Sequence, residues 1–198
     1  MGENEWDRYV RELVEREKKA KNLCHQLAKK YFPEDEFEIK RVNAYFDDQG
    51  RVRCLVDFKN KYFDPFDCGD YCWASAYSDE EYEECVETCE ENLEAALTNS
   101  VEFLTDGTVL EATIAGDCGP AWCYEDEEYE EFERRRKEFF NKFDKIGCKI
   151  NEGWIHPHEL IGGTEWEEPP ATCFYHMEAK REGMCRVDKV LDAMREVW

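Results

Sequence analysis

Apolar residues recur at three- and four-residue spacing from the start of the chain, at Trp6, Val10, Leu13, Ala20, Leu23, Leu27 and Tyr31. That period predicts one long amphipathic helix from about Glu3 to Tyr31, stopped before Pro33. The period then falls to two. Phe37 and Ile39 alternate with polar neighbours, the phase slips by one at Arg41, and Asp47-Asp48-Gln49-Gly50 reads as a turn. Val52, Cys54, Val56 and Phe58 then alternate with Arg51, Arg53, Asp57 and Lys59, which predicts a hairpin with a bulge in its first strand.

The stretch Asp67-Cys68-Gly69-Asp70-Tyr71-Cys72-Trp73 reads as a loop. Ser78 follows as an N-cap with Glu81 three residues on, the capping-box pattern. The helix from Asp79 to Leu97 is expected to bury Tyr82, Cys85, Cys89, Leu93 and Ala96 on one face. Its early acids suit the positive end of the helix dipole.

The plan then repeats. Val101 to Leu104, an Asp106-Gly107 turn, and Val109 to Ile114 predict a second hairpin. Asp117-Cys118-Gly119 and Cys123-Tyr124 echo the first loop, and Glu-Glu-Tyr-Glu-Glu occurs twice, around Tyr82 and Tyr129. This reads as an internal duplication. The second helix should bury Tyr129, Phe132, Phe139, Phe143 and Ile146 and end at Gly147. Cys148 to Ile155 and Thr172 to Glu178 read as strands, and Gly183-Met184-Cys185 precedes a last helix with Val187, Val190, Leu191, Met194 and Val197. The expected fold is α+β, with a largely antiparallel sheet and helices packed on it. The 198 residues form a single domain, divided into an N-terminal helix (1–33), two strand–strand–helix units (34–98 and 99–147) and a degenerate third (148–198).

Charge changes this picture. From Tyr62 to Glu133 the chain runs 72 residues without Lys, Arg or His and holds 23 of its 48 acids, while all 26 Lys and Arg lie outside. The formal charge of −22 is therefore a strongly acidic block between nearly neutral flanks. Adaptation to high salt would spread acids over the whole chain. A concentrated block builds a field that repels nucleic acid and attracts basic protein surfaces. Its carboxylates would match about a dozen base pairs of duplex phosphate.

Eleven cysteines in a chain of this size, with no export signal at Met1 to Asp7, are expected to be mainly reduced buried thiols. Weak metal candidates are Cys68, Cys72, Cys85 and Cys89, which could close a tetrahedral zinc site. The same spacing satisfies the twin Cys-x3-Cys pattern of small mitochondrial import chaperones. In that family both pairs lie on helices as disulfides, and the loop position of Cys68 and Cys72 sets it aside here. Cys118-x4-Cys123 stands alone. His156, His158 and Glu159 offer a second, weaker metal arrangement, against which Pro157 counts. Trp73 and Tyr77 are expected to pack over the helix cysteines.

No Gly-x-Ser-x-Gly, Gly-rich phosphate loop or His-Glu-x-x-His occurs, and the acidic block has no Lys or His beside its carboxylates, so an enzyme is not expected. No cofactor is expected either. No apolar run reaches the length of a membrane span, and Trp6 argues against N-myristoylation at Gly2, so the expected compartment is the cytoplasm of a host or producing cell. The basic clusters, Lys18 to Lys30 and Arg134-Arg135-Arg136-Lys137, are too few against the acids to bind nucleic acid directly.

In charge and size the chain resembles DNA-mimic inhibitors made by phages, among them anti-CRISPR and anti-restriction proteins. The resemblance implies a class of partner: a basic nucleic-acid-binding protein or ribonucleoprotein. The expected function is thus a non-enzymatic inhibitor docking through Glu80, Glu83, Glu84, Glu87, Glu91, Glu94, Glu127, Glu128, Glu130 and Glu131, merged into one negative surface. An immunity or antitoxin-like protein that neutralises a basic nuclease toxin is the alternative, and a zinc-binding structural module a third.

Overall fold

A computed structural model of the protein describes residues 4–63, 67–117, 126–155 and 172–197. Its elements are α1 (Glu5–Tyr31), β1 (Phe37–Phe46), β2 (Val52–Asn60), α2 (Cys68–Ser75), α3 (Asp79–Ala96), β3 (Asn99–Leu104), β4 (Val109–Asp117), α4 (Asp126–Lys145), β5 (Cys148–Ile155), β6 (Thr172–Ala179) and α5 (Val187–Val197). All six strands join one antiparallel sheet in the order β1-β2-β3-β4-β6-β5. The architecture is α+β, as the periodicities indicate.

Local signals set most of the boundaries. Asn4 accepts the Trp6 N–H at 3.1 Å and starts α1, and Ser78 accepts the Glu81 N–H at 3.2 Å to start α3. The Glu81 carboxylate in turn accepts the Tyr77 N–H at 3.0 Å, a variant of the capping box. The phase slip at Arg41 is a bulge between Ile39 and Arg41. Gly107 turns the second hairpin with φ of 88°, where a Cβ would lie 2.5 Å from the Tyr31 hydroxyl.

One face of the sheet is covered. Val56, Phe58, Val101, Phe103, Ala112, Ile114, Tyr175 and Met177 point into a core closed by Ala28 and Phe32 of the α1 end, Phe139 and Phe143 of α4, and Val190, Leu191 and Met194 of α5. Phe32, Phe37 and Phe58 form a triangle of rings, with Phe32 and Phe58 at 4.5 Å between centroids. The other face carries the alternate residues and is polar, with Arg41 on Asp57 and Arg53 on Glu102.

The N-terminal half of α1 departs from expectation. Ala20, Cys24 and Ala28 are the buried positions of this helix, while Trp6, Tyr9, Val10, Leu13 and Val14 are exposed. Among the described residues, the core contacts of α1 are made by its C-terminal half, where the buried positions lie.

The cysteines differ most from expectation. Eight of the eleven are bridged rather than reduced: Cys24–Cys54 ties α1 to β2, Cys148–Cys185 ties β5 to the approach to α5, and Cys68–Cys89 and Cys72–Cys85 bridge α2 to α3. The segment read as a loop is the helix α2, begun by Asp67, whose carboxylate accepts the Asp70 N–H at 3.0 Å. A residue every fourth position on each of two antiparallel helices allows two bridges one turn apart. The reason given for setting aside the twin Cys-x3-Cys pattern therefore does not hold, because both pairs lie on helices and both are bridged. Bonded to each other in this structure, Cys68, Cys72, Cys85 and Cys89 have no thiolate to offer zinc. Cys118, Cys123, His156, His158 and Glu159 lie outside the described residues.

Candidate partner-binding surface

Between β2 and β3, which are neighbours in the sheet, the chain leaves the body to make the α2–α3 hairpin and returns. The hairpin has its own small core: Cys68, Cys72 and Cys89, with Tyr71, Tyr82, Cys85, Val86 and Leu93 packed around them. It is apart from the main core, and the helices α2 and α3 contact chiefly each other. So small a core could not order the segment unaided, and two disulfides within 22 residues supply what it lacks.

The staple matters because of what α3 carries. Its sequence, DEEYEECVETCEENLEAA, has nine acids in 18 residues and no base. Glu80, Glu83, Glu84, Glu87, Glu90, Glu91 and Glu94 are all exposed. Glu80, Glu84, Glu87, Glu91 and Glu94 follow one another at three- and four-residue steps, a continuous stripe. Like charges at this spacing cost about 0.2–0.5 kcal/mol per pair in an isolated helix. Among the described residues none of Glu80, Glu83, Glu84, Glu87, Glu90 and Glu91 has a Lys or Arg partner. The disulfides hold together a helix that its own charges oppose.

Glu94 differs from the rest of the stripe. It pairs with Lys40, which lies at the β1 bulge and also binds Glu38 at 2.9 Å. The side-chain hydrogen bond from Lys40 holds the Glu94 carboxyl below its ordinary value, and the hydrogen bonds to Glu38 and Glu94 raise the lysine. Lys59, which faces Glu38 in the β1–β2 register, adds to the attraction on Glu94. The last turn of α3 therefore sits toward the open face of the sheet, at its β1–β2 side.

α4 is elsewhere. It packs on β5 at the opposite edge, with Phe139 and Phe143 in the covered core and the Phe139 ring 4.1 Å from that of Tyr175. The last turn of α3 lies toward the open face near one edge of the sheet, and α4 packs on the covered face near the other. The two units also differ in packing: the helix after β2 pairs with α2 in a hairpin with its own core, and the one after β4 packs on the sheet. Glu127, Glu128, Glu130 and Glu131 lie on the α4 backbone, and the Glu130 side chain is exposed. Further along, α4 answers its acids with bases, Arg136 on Glu133 at 3.6 Å and Arg134 on Glu138 at 2.6 Å. Among the described residues, the longest run of carboxylates without a Lys or Arg partner lies on α3.

Two features here were not read from the sequence. Trp73 and Tyr77 do not cover the cysteines; they are 80% and 97% exposed at the tip of the hairpin. On the open sheet face, Glu111 of β4 and His176 and Glu178 of β6 bring one donor atom each within 4.8 Å of one another, with His176 Nδ1 at 3.3 Å from the Thr113 hydroxyl. Such a set has the chemistry for a divalent cation, although both carboxylates are exposed and Lys149 is the register neighbour of Glu178. Strand alternation puts each residue on that face, but only the β4–β6 register unites them.

No helix among the described residues is long and apolar enough to cross a membrane. Comparison with protein-family models, with curated proteins and with solved structures gave no match.

Proposed function

We propose that the protein is a non-enzymatic binding protein that occupies a basic, nucleic-acid-binding surface of another protein through α3. The observation that carries this reading is the set of exposed carboxylates without a Lys or Arg partner, Glu80, Glu83, Glu84, Glu87 and Glu91, on a disulfide-held hairpin. Eighteen residues of helix extend about 27 Å, so nine carboxylates give one charge per about 3 Å of axis. One nucleic-acid strand presents a phosphate every ~3.4 Å. A groove built to follow a single strand meets on α3 a similar linear charge density on a rigid support. With Glu94 held by Lys40 and α4 on the other side of the sheet, the docking residues reduce to the N-terminal and middle turns of α3.

The disulfides among the described residues support an oxidising environment for the folded protein, and weigh against the cytoplasm expected from the amino terminus. An inhibitor or immunity-like protein acting in such a compartment would keep its staple closed.

The test is capture of partners from the producing cell or its environment on immobilised protein, with salt elution. The reading expects basic nucleic-acid-binding proteins that elute as salt rises and are displaced by single-stranded DNA or RNA. A variant with Glu83, Glu84, Glu87 and Glu91 changed to Gln should lose them. A partner held equally well by that variant and at 1 M salt would refute it.

A further inference from the structure

The tip of the hairpin holds a cleft of about 190 Å³ lined by Trp73, Ala76, Tyr77, Ser78, Asp79 and Tyr82. The rings of Trp73 and Tyr82 meet nearly at right angles, 83° with centroids 6.2 Å apart, and make two walls. Tyr77 provides a third aromatic surface and Asp79 a carboxylate. The walls are anchored. Cys72, beside Trp73, is bonded to Cys85, one helical turn beyond Tyr82. The turn between the helices is fixed by the Glu81 N–H donating to the Ser78 hydroxyl and the Tyr77 N–H donating to the Glu81 carboxylate, so the cleft exists before anything binds.

Elsewhere this chain covers aromatic faces with its own cations. Arg16 lies over Phe46 at 4.2 Å, Arg136 over Phe140 at 5.5 Å and Arg195 over Phe37 at 5.6 Å. Trp73, Tyr77 and Tyr82 have no such cover among the described residues, and the 72-residue stretch around them contains no Lys, Arg or His to give it. An exposed aromatic corner with a carboxylate at its mouth, inside the most negative part of the molecule, is complementary to one kind of group: a cation with an apolar stem.

We propose that this cleft receives an arginine or lysine side chain from the basic partner that α3 attracts. The inference rests on the proposed function, whose acidic stripe begins at the same helix end. The stripe supplies long-range attraction, and the cleft supplies a contact of fixed position. Binding here makes and breaks no covalent bond.

The test titrates the intact, oxidised protein with a nona-arginine peptide, using a nona-citrulline peptide as the neutral control. Affinity is read by calorimetry, and the Trp73 indole N–H by NMR. The Trp73 signal should shift with the arginine peptide and not with the citrulline peptide. Trp73→Ala should weaken binding about two- to fivefold, the range for an exposed cation–aromatic contact, and leave its dependence on salt unchanged. Trp73→Phe should recover part of the loss. Because the indole is 80% exposed, neither change should alter thermal unfolding. Salt-sensitive binding that is the same in Trp73→Ala as in the native protein overturns the cleft and leaves the acidic surface standing. Absence of binding to the native protein overturns both.

Discussion

Glu94 in the last turn of α3 forms an ion pair with Lys40 at the bulge of β1, joining the hairpin to the sheet across 54 positions of sequence. The pair lies at the surface, so it should affect local order more than global stability. Lys40→Ala is expected to change the unfolding free energy by under about 1 kcal/mol. Amide exchange in the last turn of α3 should nevertheless quicken, and hydrogen-exchange mass spectrometry would show it. The pH dependence has a definite sign. Because Lys40 lowers the Glu94 carboxyl, the contribution is present above the unfolded value of about 4.5 and is lost as pH falls through the lower folded value. Protection that is the same in the variant would show that the hairpin is held in some other way.

The disulfide pairing makes a separate prediction. The Cys72–Cys85 bridge closes a 13-residue separation, for which the chain-entropy estimate is about 3 kcal/mol. Replacing both cysteines with Ala leaves the Cys68–Cys89 bridge and should loosen the hairpin tip, while the main core, which shares no residue with it, persists. Trypsin cannot report this, since the segment has no Lys or Arg, but a Glu-specific protease should cut α3 much faster in the variant. Chelators should leave the melting temperature unchanged and a thiol reductant should lower it. A melting temperature that falls with chelator and not with reductant would contradict the pairing.

Tyr45 offers a spectroscopic check on the open face of the sheet. Burial, with the hydrogen bond to Glu102 second, pushes its phenol from 10.0 up to about 12. The neutral form is the one favoured by folding, so the contribution of Tyr45 is complete below about pH 10 and lost as pH rises toward 12. Titration of tyrosinate absorbance should show a late-ionising component that is lost in Tyr45→Phe. Glu102→Gln should bring that ionisation to lower pH.

Much of the fold was readable because the signals are local. The α1 period, the slip at Arg41, the Ser78–Glu81 cap and the Gly107 turn each depend on contacts within a few residues. α2 was missed because its eight residues include Gly69 and lack a clear apolar stripe; two covalent bridges, not propensity, keep it helical. The buried face of α3 was read correctly, since Tyr82, Cys85, Cys89, Leu93 and Ala96 recur at helical spacing. What those cysteines bond to was not, because spacing along one helix is the same for a thiol, a zinc ligand and a disulfide.

The sequence by itself determined the elements, their order and the sign of the central field: hydrophobic period and charge count belong to the chain, whatever its path in space. Tertiary structure decided which charges remain unpaired. Lys40 reaches Glu94 and Arg53 reaches Glu102 from outside a segment that has no base of its own. It also set the last turn of α3 toward the open face and α4 on the covered one, because the chain leaves β2 into a stapled hairpin but leaves β4 toward a helix packed on the core. Coulomb energy depends on distances in space, which strand register and helix packing set across tens of residues. The acidic block is therefore continuous in the sequence, while its neutralisation in space is decided by bases brought to it from other elements.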